Sequence, residues 1–407
     1  MYISRAIEKT ILAANRQYPV IMVCGQPQVG KSTMLNHIKE ANRRYVSFDD
    51  RATRRLAETD PVLFFETYGY PILIDEFQKV PSILETIKDI VDRLGYEGKD
   101  NSGLFWLTGS QKFKMMKGVS ESLAGRAAVF EMSSLSMQEI DGNIHGAFDP
   151  EISSLKTLEV ARQRVGQVYE KIFRGGMPKL VASQVDRDRY YSDYVNTYLE
   201  RDIKELAQVG KLNEFYDFLV YMAARTGQEL KYDDIAKRIG VSAPTAKSWV
   251  TILERSGVIF ILHPYQSSIT DRLVKTPKVY SMDTGLAAYL CRWPNAETLQ
   301  NGNMDGAFLE TFVVSEIVKS YYNAGKSTKD LYYYRDIDNK EIDLLIVGAN
   351  CLYPIEVKKS SDPSNPDKNF SVLSKFKLEI KTGLIMCLAD EVRPLNRQCY
   401  LIPVTAV

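Results

Sequence analysis

The sequence is poor in histidine, with only His37, His145 and His263 among 407 residues. This scarcity argues against histidine-based metal centres and catalytic triads, which depend on that side chain. The five cysteines are odd in number, widely spaced and mostly within apolar runs. That usage is typical of reduced thiols in an intracellular, cytoplasmic protein rather than of disulfides or a zinc site. Carboxylates, lysines and phosphate-binding loops therefore remain as the candidate chemistry.

Long apolar stretches and an excess of charge are also missing. No run approaches the roughly 18 uncharged apolar residues of a membrane span, so we expect no membrane-spanning segment. The first ten residues are charged and amphipathic, and we expect no signal peptide. The 52 basic and 51 acidic residues leave a formal net charge of +1. Any contact with nucleic acid therefore requires a local basic patch.

The length predicts two to three domains at about 150 residues each, and the patterns favour an α/β multidomain protein. Residues 1–140 alternate short apolar runs with amphipathic helical patterns, which predicts a parallel sheet flanked by helices. Helices are expected at 31–41 and 82–94. The expected buried strands are 19–24, 44–48, 70–74, 103–108 and 127–132.

The remainder of the chain is predicted to have three parts. Residues 141–230 carry mainly helical patterns and are expected to form a helical lid or linker region. Residues 231–275 predict two helices joined by a turn at Gly240 and followed by an apolar strand, the pattern of a winged helix-turn-helix. The outer face of the second helix is only mildly basic, so packing is favoured slightly over DNA binding. Residues 276–407 return to an α/β pattern.

A phosphate-binding loop is predicted at residues 25–32, which fit G-x-x-x-x-G-K-[ST] between an apolar strand and an amphipathic helix. Glycines let backbone N–H groups approach a phosphate, and the following helix adds a favourable field. Lys31 is expected to bind the β- and γ-phosphates of ATP, and the Ser32 hydroxyl to bind Mg²⁺. The predicted nucleotide-binding residues are Gly25, Gln26, Pro27, Gln28, Val29, Gly30, Lys31, Ser32 and Thr33.

Acidic residues at the end of the next apolar strand complete the predicted site. Asp75 is expected to hold Mg²⁺, largely through water, and Glu76 to polarise the attacking water as a general base. A third strand ends at Thr108 and Ser110, each a candidate to contact the γ-phosphate or position water. A plain strand-terminating turn is an equal alternative for either residue.

Arg126 lies just before the fifth expected strand. It is a candidate to neutralise charge that develops on the γ-phosphate, either in cis or across a subunit interface. An ordinary surface arginine is a comparable interpretation. Action across subunits would need a homo-oligomer, which the sequence leaves open.

Several segments resemble the AAA-type P-loop ATPases of bacteria and archaea that carry a C-terminal domain of unknown function with a restriction-endonuclease-like core. The similar segments near the phosphate loop are 74–81, 107–110 and 123–126. Further along, 174–178, 198–203 and 278–286 are also similar to recurring family segments, so the resemblance covers nearly the whole chain. The family often has arginine where this chain has Pro27, and the role of that arginine is not carried over. The resemblance implies an ATPase domain followed by a nuclease-like C-terminal domain.

Restriction-like nucleases hold metal with an aspartate, a Glu-x-Lys pair on the next strand and a helical glutamate. Here Asp343 is followed by Glu356 and Lys358, and residues i and i+2 of a strand project to one face. Asp343 and Glu356 are expected to bind one or two Mg²⁺ or Mn²⁺ ions, with Lys358 orienting or activating water. Glu310 is the favoured helical ligand and Glu316 the alternative. An inactive core, kept for folding or DNA docking, is an equal interpretation.

The leading hypothesis is a cytoplasmic, Mg²⁺-dependent ATPase whose nucleotide state controls a DNA-directed C-terminal module. One alternative is a metal-dependent DNA nuclease gated by ATP. A second is a nucleotide-switched regulator that binds DNA or a protein and has an inactive nuclease-like core. ATP is the expected ligand, DNA is a candidate partner, and no membrane association is expected.

Overall fold

The computed structural model describes residues 2–109, 122–158, 160, 162–198, 212–266 and 276–407. The chain divides into two compact units. The first contains Met1–Leu135 with the short stretches Arg255–Gly257 and Tyr322–Gly325. The second contains Ser136–Glu254, Val258–Tyr321 and Lys326–Val407. The expected division into four domains, with boundaries near 141, 231 and 276, stays a prediction.

A five-stranded parallel sheet forms the centre of the first unit, which confirms the predicted α/β P-loop fold for this part of the chain. The strand order is β2-β3-β4-β1-β5. The inner strands are continuous apolar runs because helices cover both faces of such a sheet. The strands are β1 (Val20–Cys24), β2 (Arg44–Ser47), β3 (Ile72–Asp75), β4 (Phe105–Thr108) and β5 (Ala127–Glu131).

Five α-helices accompany this sheet in the described part of the first unit. Two of them, between β2 and β3, were not predicted, although Asp50 and Asp60 cap their N-termini by accepting from Thr53 and Leu63. The predicted helix at 31–41 ends at Ile38, because Lys39 adopts extended backbone. The helices are α1 (Glu8–Asn15), α2 (Lys31–Ile38), α3 (Arg51–Thr59), α4 (Pro61–Tyr68) and α5 (Ile83–Tyr96).

The second unit is mainly helical before its own large sheet. Its earlier helices are α6 (Met137–Asp141), α7 (Ile152–Leu155), α8 (Val165–Arg174), α9 (Pro178–Ala182), α10 (Arg187–Tyr198) and α11 (Leu212–Ala224). Its later helices are α12 (Tyr232–Ile239), α13 (Ala243–Arg255), α14 (Thr284–Leu290), α15 (Ala296–Gln300) and α16 (Asp305–Asn323).

The segment interpreted as a winged helix-turn-helix contains α12, α13 and a small antiparallel sheet. Strand β7 (Ile259–Leu262) pairs with β8 (Lys278–Ser281), and β6 (Gln228–Glu229) pairs with β8 on its other side. The expected boundary at residue 276 therefore falls between two hydrogen-bonded strands. On α13, Trp249 is buried while Lys247 and Ser248 are exposed, as the helical pattern predicts. The winged-helix interpretation itself stays a prediction.

The C-terminal sheet has the order β14-β15-β13-β11-β10-β9, with the short strand β12 paired to β11. Strand β10 runs antiparallel to both β9 and β11, while β11, β13 and β15 are parallel. This arrangement places the predicted acid-bearing strands β10 and β11 side by side. The strands are β9 (Leu331–Arg335), β10 (Glu341–Val347), β11 (Cys351–Lys358), β12 (Glu379–Ile380), β13 (Gly383–Cys387), β14 (Arg393–Pro394) and β15 (Cys399–Pro403).

A buried aspartate connects two of the family-like segments. Asp283 accepts hydrogen bonds from the Gly176 amide at 2.9 Å and the Tyr191 hydroxyl at 2.8 Å. It also caps α14 by accepting from the Leu286 amide at 2.9 Å. These three donors stabilise a carboxylate that is otherwise costly to bury. The contacts give the segments at 174–178 and 278–286 a structural role.

No helix in the described ranges combines the length and apolar character that a membrane crossing requires. All five cysteines lie in those ranges, and none forms a disulfide.

Candidate functional site

The phosphate loop leaves β1 along a path that requires glycine at two positions. Gly25 has φ 144°, and a Cβ there would lie 2.0 Å from the Met132 carbonyl oxygen. Gly30 has φ 91° in the left-handed region and precedes the first residue of α2. Only glycine adopts both geometries without strain or collision. The loop thus keeps its backbone close to β5 and presents the N-terminus of α2.

The loop lysine is buried and folds across its own loop. The Lys31 ammonium donates to the Gly25 carbonyl at 2.9 Å and to the Gln26 carbonyl at 2.7 Å. The positive charge is therefore held over the segment whose amides form the predicted phosphate cradle. Thr33 is exposed on the first turn of α2, while Gln26 and Val29 are buried.

The structure brings the loop serine to the acid at the end of β3. The Ser32 hydroxyl donates to Asp75 Oδ1 at 2.9 Å, and Asp75 Oδ2 accepts from the Tyr45 hydroxyl at 3.0 Å. The Glu76 amide also donates to Asp75 Oδ1, at 3.1 Å. A hydroxyl and a carboxylate are the hard oxygen donors that Mg²⁺ prefers, so Ser32 and Asp75 fit the ion.

Tyr45 was not predicted as a site residue. Its hydroxyl lies against Asp75, and burial together with that carboxylate raises the pKa of Tyr45 to about 12. The phenol therefore stays protonated and acts as a donor at neutral pH. A tyrosine near the start of a short strand carries no sequence signal for such a role.

Neighbouring strand ends place further candidates beside Asp75. Asp75 and Thr108 are paired in register at the carboxyl ends of β3 and β4, and Val23 of β1 pairs with Thr108. The Thr108 hydroxyl is buried and has no hydrogen-bond partner among the described residues. Glu76 follows Asp75 directly and is half-buried. Ser110 lies outside the described residues.

A buried arginine that the sequence did not single out holds the loop from the N-terminal segment. Arg5 donates through Nη1 to the Val29 carbonyl and through Nη2 to the Ser133 carbonyl, each at 2.8 Å. The two bonds connect the phosphate loop to the segment after β5. Because the contact partners are backbone atoms far away in the sequence, no local pattern points to Arg5.

Arg126 does not reach the phosphate loop in cis, which corrects that expectation. Its carbonyl accepts from the Val20 amide, so it lies at the amino end of the parallel pair β1–β5. The loop follows the opposite end of β1, at least about 13 Å away along a five-residue strand. The guanidinium instead pairs with both Asp92 oxygens, at 2.6 and 2.9 Å. This ion pair lowers the pKa of the Asp92 carboxyl.

The second unit brings most of the predicted C-terminal residues together. Asp343 on β10 accepts from the Val357 amide of β11 at 2.8 Å. The Lys358 ammonium contacts Glu356 and lies 3.8 Å from Asp343 Oδ2. Burial and the Asp343 charge raise the pKa of Glu356 to about 9. The same two causes raise the pKa of Glu310 to about 7. We call these four residues, with those added next, the carboxylate cluster.

Two residues of β8 join the carboxylate cluster and were not predicted as site residues. The buried Lys278 ammonium lies 2.9 Å from Glu310 and 2.6 Å from Glu341. The Tyr280 hydroxyl donates to Glu310 at 2.6 Å. Lys278 and Tyr280 are two residues apart on one strand and so share a face. In the sequence, both residues belong to the family-like segment 278–286, for which no role was predicted.

Glu316 lies apart from these contacts. Its carboxylate accepts from the Met137 amide at the start of α6 at 2.7 Å and from the Lys319 ammonium at 2.8 Å. The carboxylate is thus satisfied by a helix N-terminus and an ion pair, which is a structural arrangement. Among the residues with described positions, no group of three or more His, Cys, Asp or Glu side chains is arranged to hold a metal ion.

Three family models match successive parts of this chain. Residues 17–141 match the AAA domain. This segment is an AAA-type P-loop domain. Residues 166–297 and 305–407 match two domains of unknown function (DUF8612 and DUF4143). A C-terminal domain of unknown function was expected after the AAA domain; its nuclease-like core remains a proposal.

Relatives of the whole chain carry no assigned role. Uncharacterized proteins of Mycobacterium tuberculosis and Mycobacterium bovis are each 25% identical over 348 residues, covering 85% of this chain and 71% of the relative. Among solved structures, a Walker-type ATPase of Pyrococcus abyssi is 14% identical with a TM-score of 0.41, covering 70% of this chain and 94% of its own. RuvB of Thermotoga maritima is 15% identical with a TM-score of 0.31, covering 62% and 88%. Structural similarities with TM-scores this low add nothing to the AAA domain match.

The two helical glutamates are expected to respond in opposite ways to neutral substitution. Glu316→Gln should destabilise the second unit by about 3 kcal/mol, because it removes the buried carboxylate charge that pairs with the Lys319 ammonium. Glu310→Gln should not lower the stability at pH 8, where the carboxylate is ionised in both the folded and the unfolded state. The folded state raises the pKa of Glu310 from 4.5 to about 7, so the ionised form costs stability there and a neutral amide avoids that cost. Calorimetric melting of the two variants measures the difference, and equal losses would contradict it.

Proposed function

We propose that this protein binds ATP with Mg²⁺ and hydrolyses it, and that the bound nucleotide controls a DNA-directed C-terminal module. The contact between Ser32 and Asp75 carries the first part of this proposal. It joins the phosphate loop, which follows β1, to the acid at the end of β3. The groups proposed to bind phosphate, metal and water are thereby close together at one edge of the sheet. The AAA domain match supports the same ligand.

The residues at this edge of the sheet have different proposed roles. Lys31 and the amides before α2 bind the β- and γ-phosphates, and Ser32 with Asp75 would hold the ion. When bound, Mg²⁺ neutralises charge on the phosphate oxygens. Glu76 accepts a proton from the water whose oxygen bonds to the γ-phosphorus as the bond to the ADP oxygen breaks. The Thr108 hydroxyl, which is buried and has no hydrogen-bond partner among the described residues, is expected to contact the nucleotide or that water.

Removal of the loop ammonium and of the general base should have separable effects. Lys31→Ala is expected to abolish ATP binding or turnover, because it removes the ammonium charge proposed to bind the β- and γ-phosphates. Glu76→Gln should retain ATP affinity while turnover falls by about 100-fold or more. Calorimetry gives the affinities and phosphate release gives the rates. Lys9→Ala, which removes an exposed lysine of the same domain, is the matched control. Undiminished turnover in Lys31→Ala would overturn the assignment.

The second part of the proposal concerns DNA. Exposed Lys247 and Ser248 on α13 provide a polar outer face for a duplex, although a mildly basic one. DNA is expected to change the ATPase rate of the full chain, and its binding to weaken as salt rises because phosphates release counterions. Rates measured with and without duplex, single-stranded and branched DNA test this. A rate unaffected by every form, with no mobility shift at low salt, would leave a protein-directed nucleotide switch as the better proposal.

A metal-dependent nuclease gated by ATP is the second candidate function. It is favoured by the convergence of Asp343, Glu356 and Lys358 with Glu310 in the carboxylate cluster. A metal ion there would have to draw Glu356 away from the Lys358 ammonium. The alternative is an inactive nuclease-like core, in which the lysines neutralise the acids permanently.

DNA cleavage in Mg²⁺ or Mn²⁺ decides between these two. An active nuclease should lose cleavage by at least about 100-fold in Asp343→Ala and in Lys358→Ala, because each removes a group from the reacting face. Lys340→Ala, an exposed lysine at the start of β10, is the matched control. Cleavage that survives both cluster substitutions comes from a contaminant, and absence of cleavage in the wild type favours the inactive core.

A further inference from the structure

A buried glutamine lies against the proposed general base. Gln78, in the short 3-10 turn Phe77–Lys79 after β3, is 8% exposed. Its side-chain Nε2 donates a hydrogen bond to Glu76 Oε2. An ionised carboxylate only accepts, so the amide nitrogen must face it. The other amide atom, Oε1, is buried and has no partner among the described residues. The contact with Glu76 is therefore the polar contact that fixes this side chain.

The residue after β4 leaves room for this glutamine because it is glycine. A Cβ at Gly109 would lie 1.9 Å from Gln78 Oε1 and 2.8 Å from its Cδ. Gly109 is not in the left-handed region, so its backbone would accept alanine. What glycine provides here is space for the Gln78 amide. The Gln78 amide thus lies between Glu76, which follows β3, and Gly109, which follows the neighbouring strand β4.

The backbone of Glu76 is held in an unfavourable conformation at the same place. Its φ is 53°, in the left-handed region that costs a non-glycine residue about 1 kcal/mol. Such a conformation persists only where the surroundings hold it. The Asp75 carboxylate accepts from the Glu76 amide, and Gln78 holds the Glu76 side chain. Backbone and side chain of the general base are therefore both fixed.

We propose that Gln78 is a positioning residue that keeps the Glu76 carboxylate aimed for proton abstraction, and that Gly109 is required to admit it. The proposal rests on the ATPase function proposed above. A general base must lie within hydrogen-bond reach of the water it deprotonates, so loss of the bond from Gln78 reduces the alignment of Glu76.

Two independent substitutions test the proposal in the full-length protein. Gln78→Met keeps the side-chain volume and removes the amide, whereas Gly109→Ala displaces the amide without altering Glu76 or Gln78. Each should lower kcat by about 10-fold to 100-fold while the Kd for ATP stays within about twofold. The double variant should be no worse than Gln78→Met, because both changes break one contact.

The chain offers a control for each substitution. Gln17→Met changes an exposed glutamine, and Gly95→Ala adds a methyl group 3.6 Å from its nearest neighbour, an ordinary contact. Both should keep the wild-type kcat and the wild-type Kd for ATP. If one test variant fails to bind ATP, the other decides.

The outcomes separate this proposal from the one on which it rests. Turnover that depends on Glu76 but is unchanged, or faster, in Gln78→Met and Gly109→Ala overturns the role of Gln78 alone. A purely structural role would change the Kd for ATP or the stability of the fold, instead of lowering kcat alone. Absence of any turnover that Glu76→Gln abolishes overturns both proposals.

Discussion

The hydrogen bond between Ser32 and Asp75 is the contact on which the chemistry of the first unit depends. It joins two segments 43 residues apart into one site. The parallel order β2-β3-β4-β1-β5 makes this contact possible, because every strand ends at the same edge of the sheet. If β3 ran antiparallel to β1, its terminal acid would lie at the far edge, a strand length from the loop. Strand direction therefore decides which polar residues become neighbours, and Thr108 joins Asp75 for the same reason.

The same constraint explains which residues of this site were predictable. The loop and Asp75 each belong to a contiguous pattern, in which an apolar run ends in residues of a defined type. Arg126 lies in an equally visible pattern, but it precedes β5, and in a parallel sheet the start of a strand lies at the edge opposite to the loop that follows β1. Arg5 and Tyr45 act through partners far away in the chain. Contacts of that kind depend on packing and leave no local signal.

Burial alone does not identify the candidate site residue, because Glu316, which lies outside the carboxylate cluster, is the more deeply buried of the two helical glutamates. The helical projection correctly places Glu316 on the apolar face, but its partners are Lys319 and a backbone amide that no projection reveals. Glu310 instead meets Lys278, from a strand that pairs with β7 of the segment interpreted as a winged helix-turn-helix. The nature of each partner, and not the degree of burial, separates a structural acid from one in a candidate site.

The composition of the carboxylate cluster bears on whether it is only structural. Glu310, Glu341, Asp343 and Glu356 face two lysines, and the raised pKa of Glu356 shows that its ionised form is disfavoured there. Apolar residues of similar volume commonly stabilise a core as well as buried ion pairs do, or better. A purely structural core therefore gains little from four acids, and Glu316 shows that one acid with one lysine is enough to anchor a helix terminus. Arg335, 3.7 Å from Glu341, adds a third cation, so most of these acids already have a partner and an external metal ion would have to displace one of the cations.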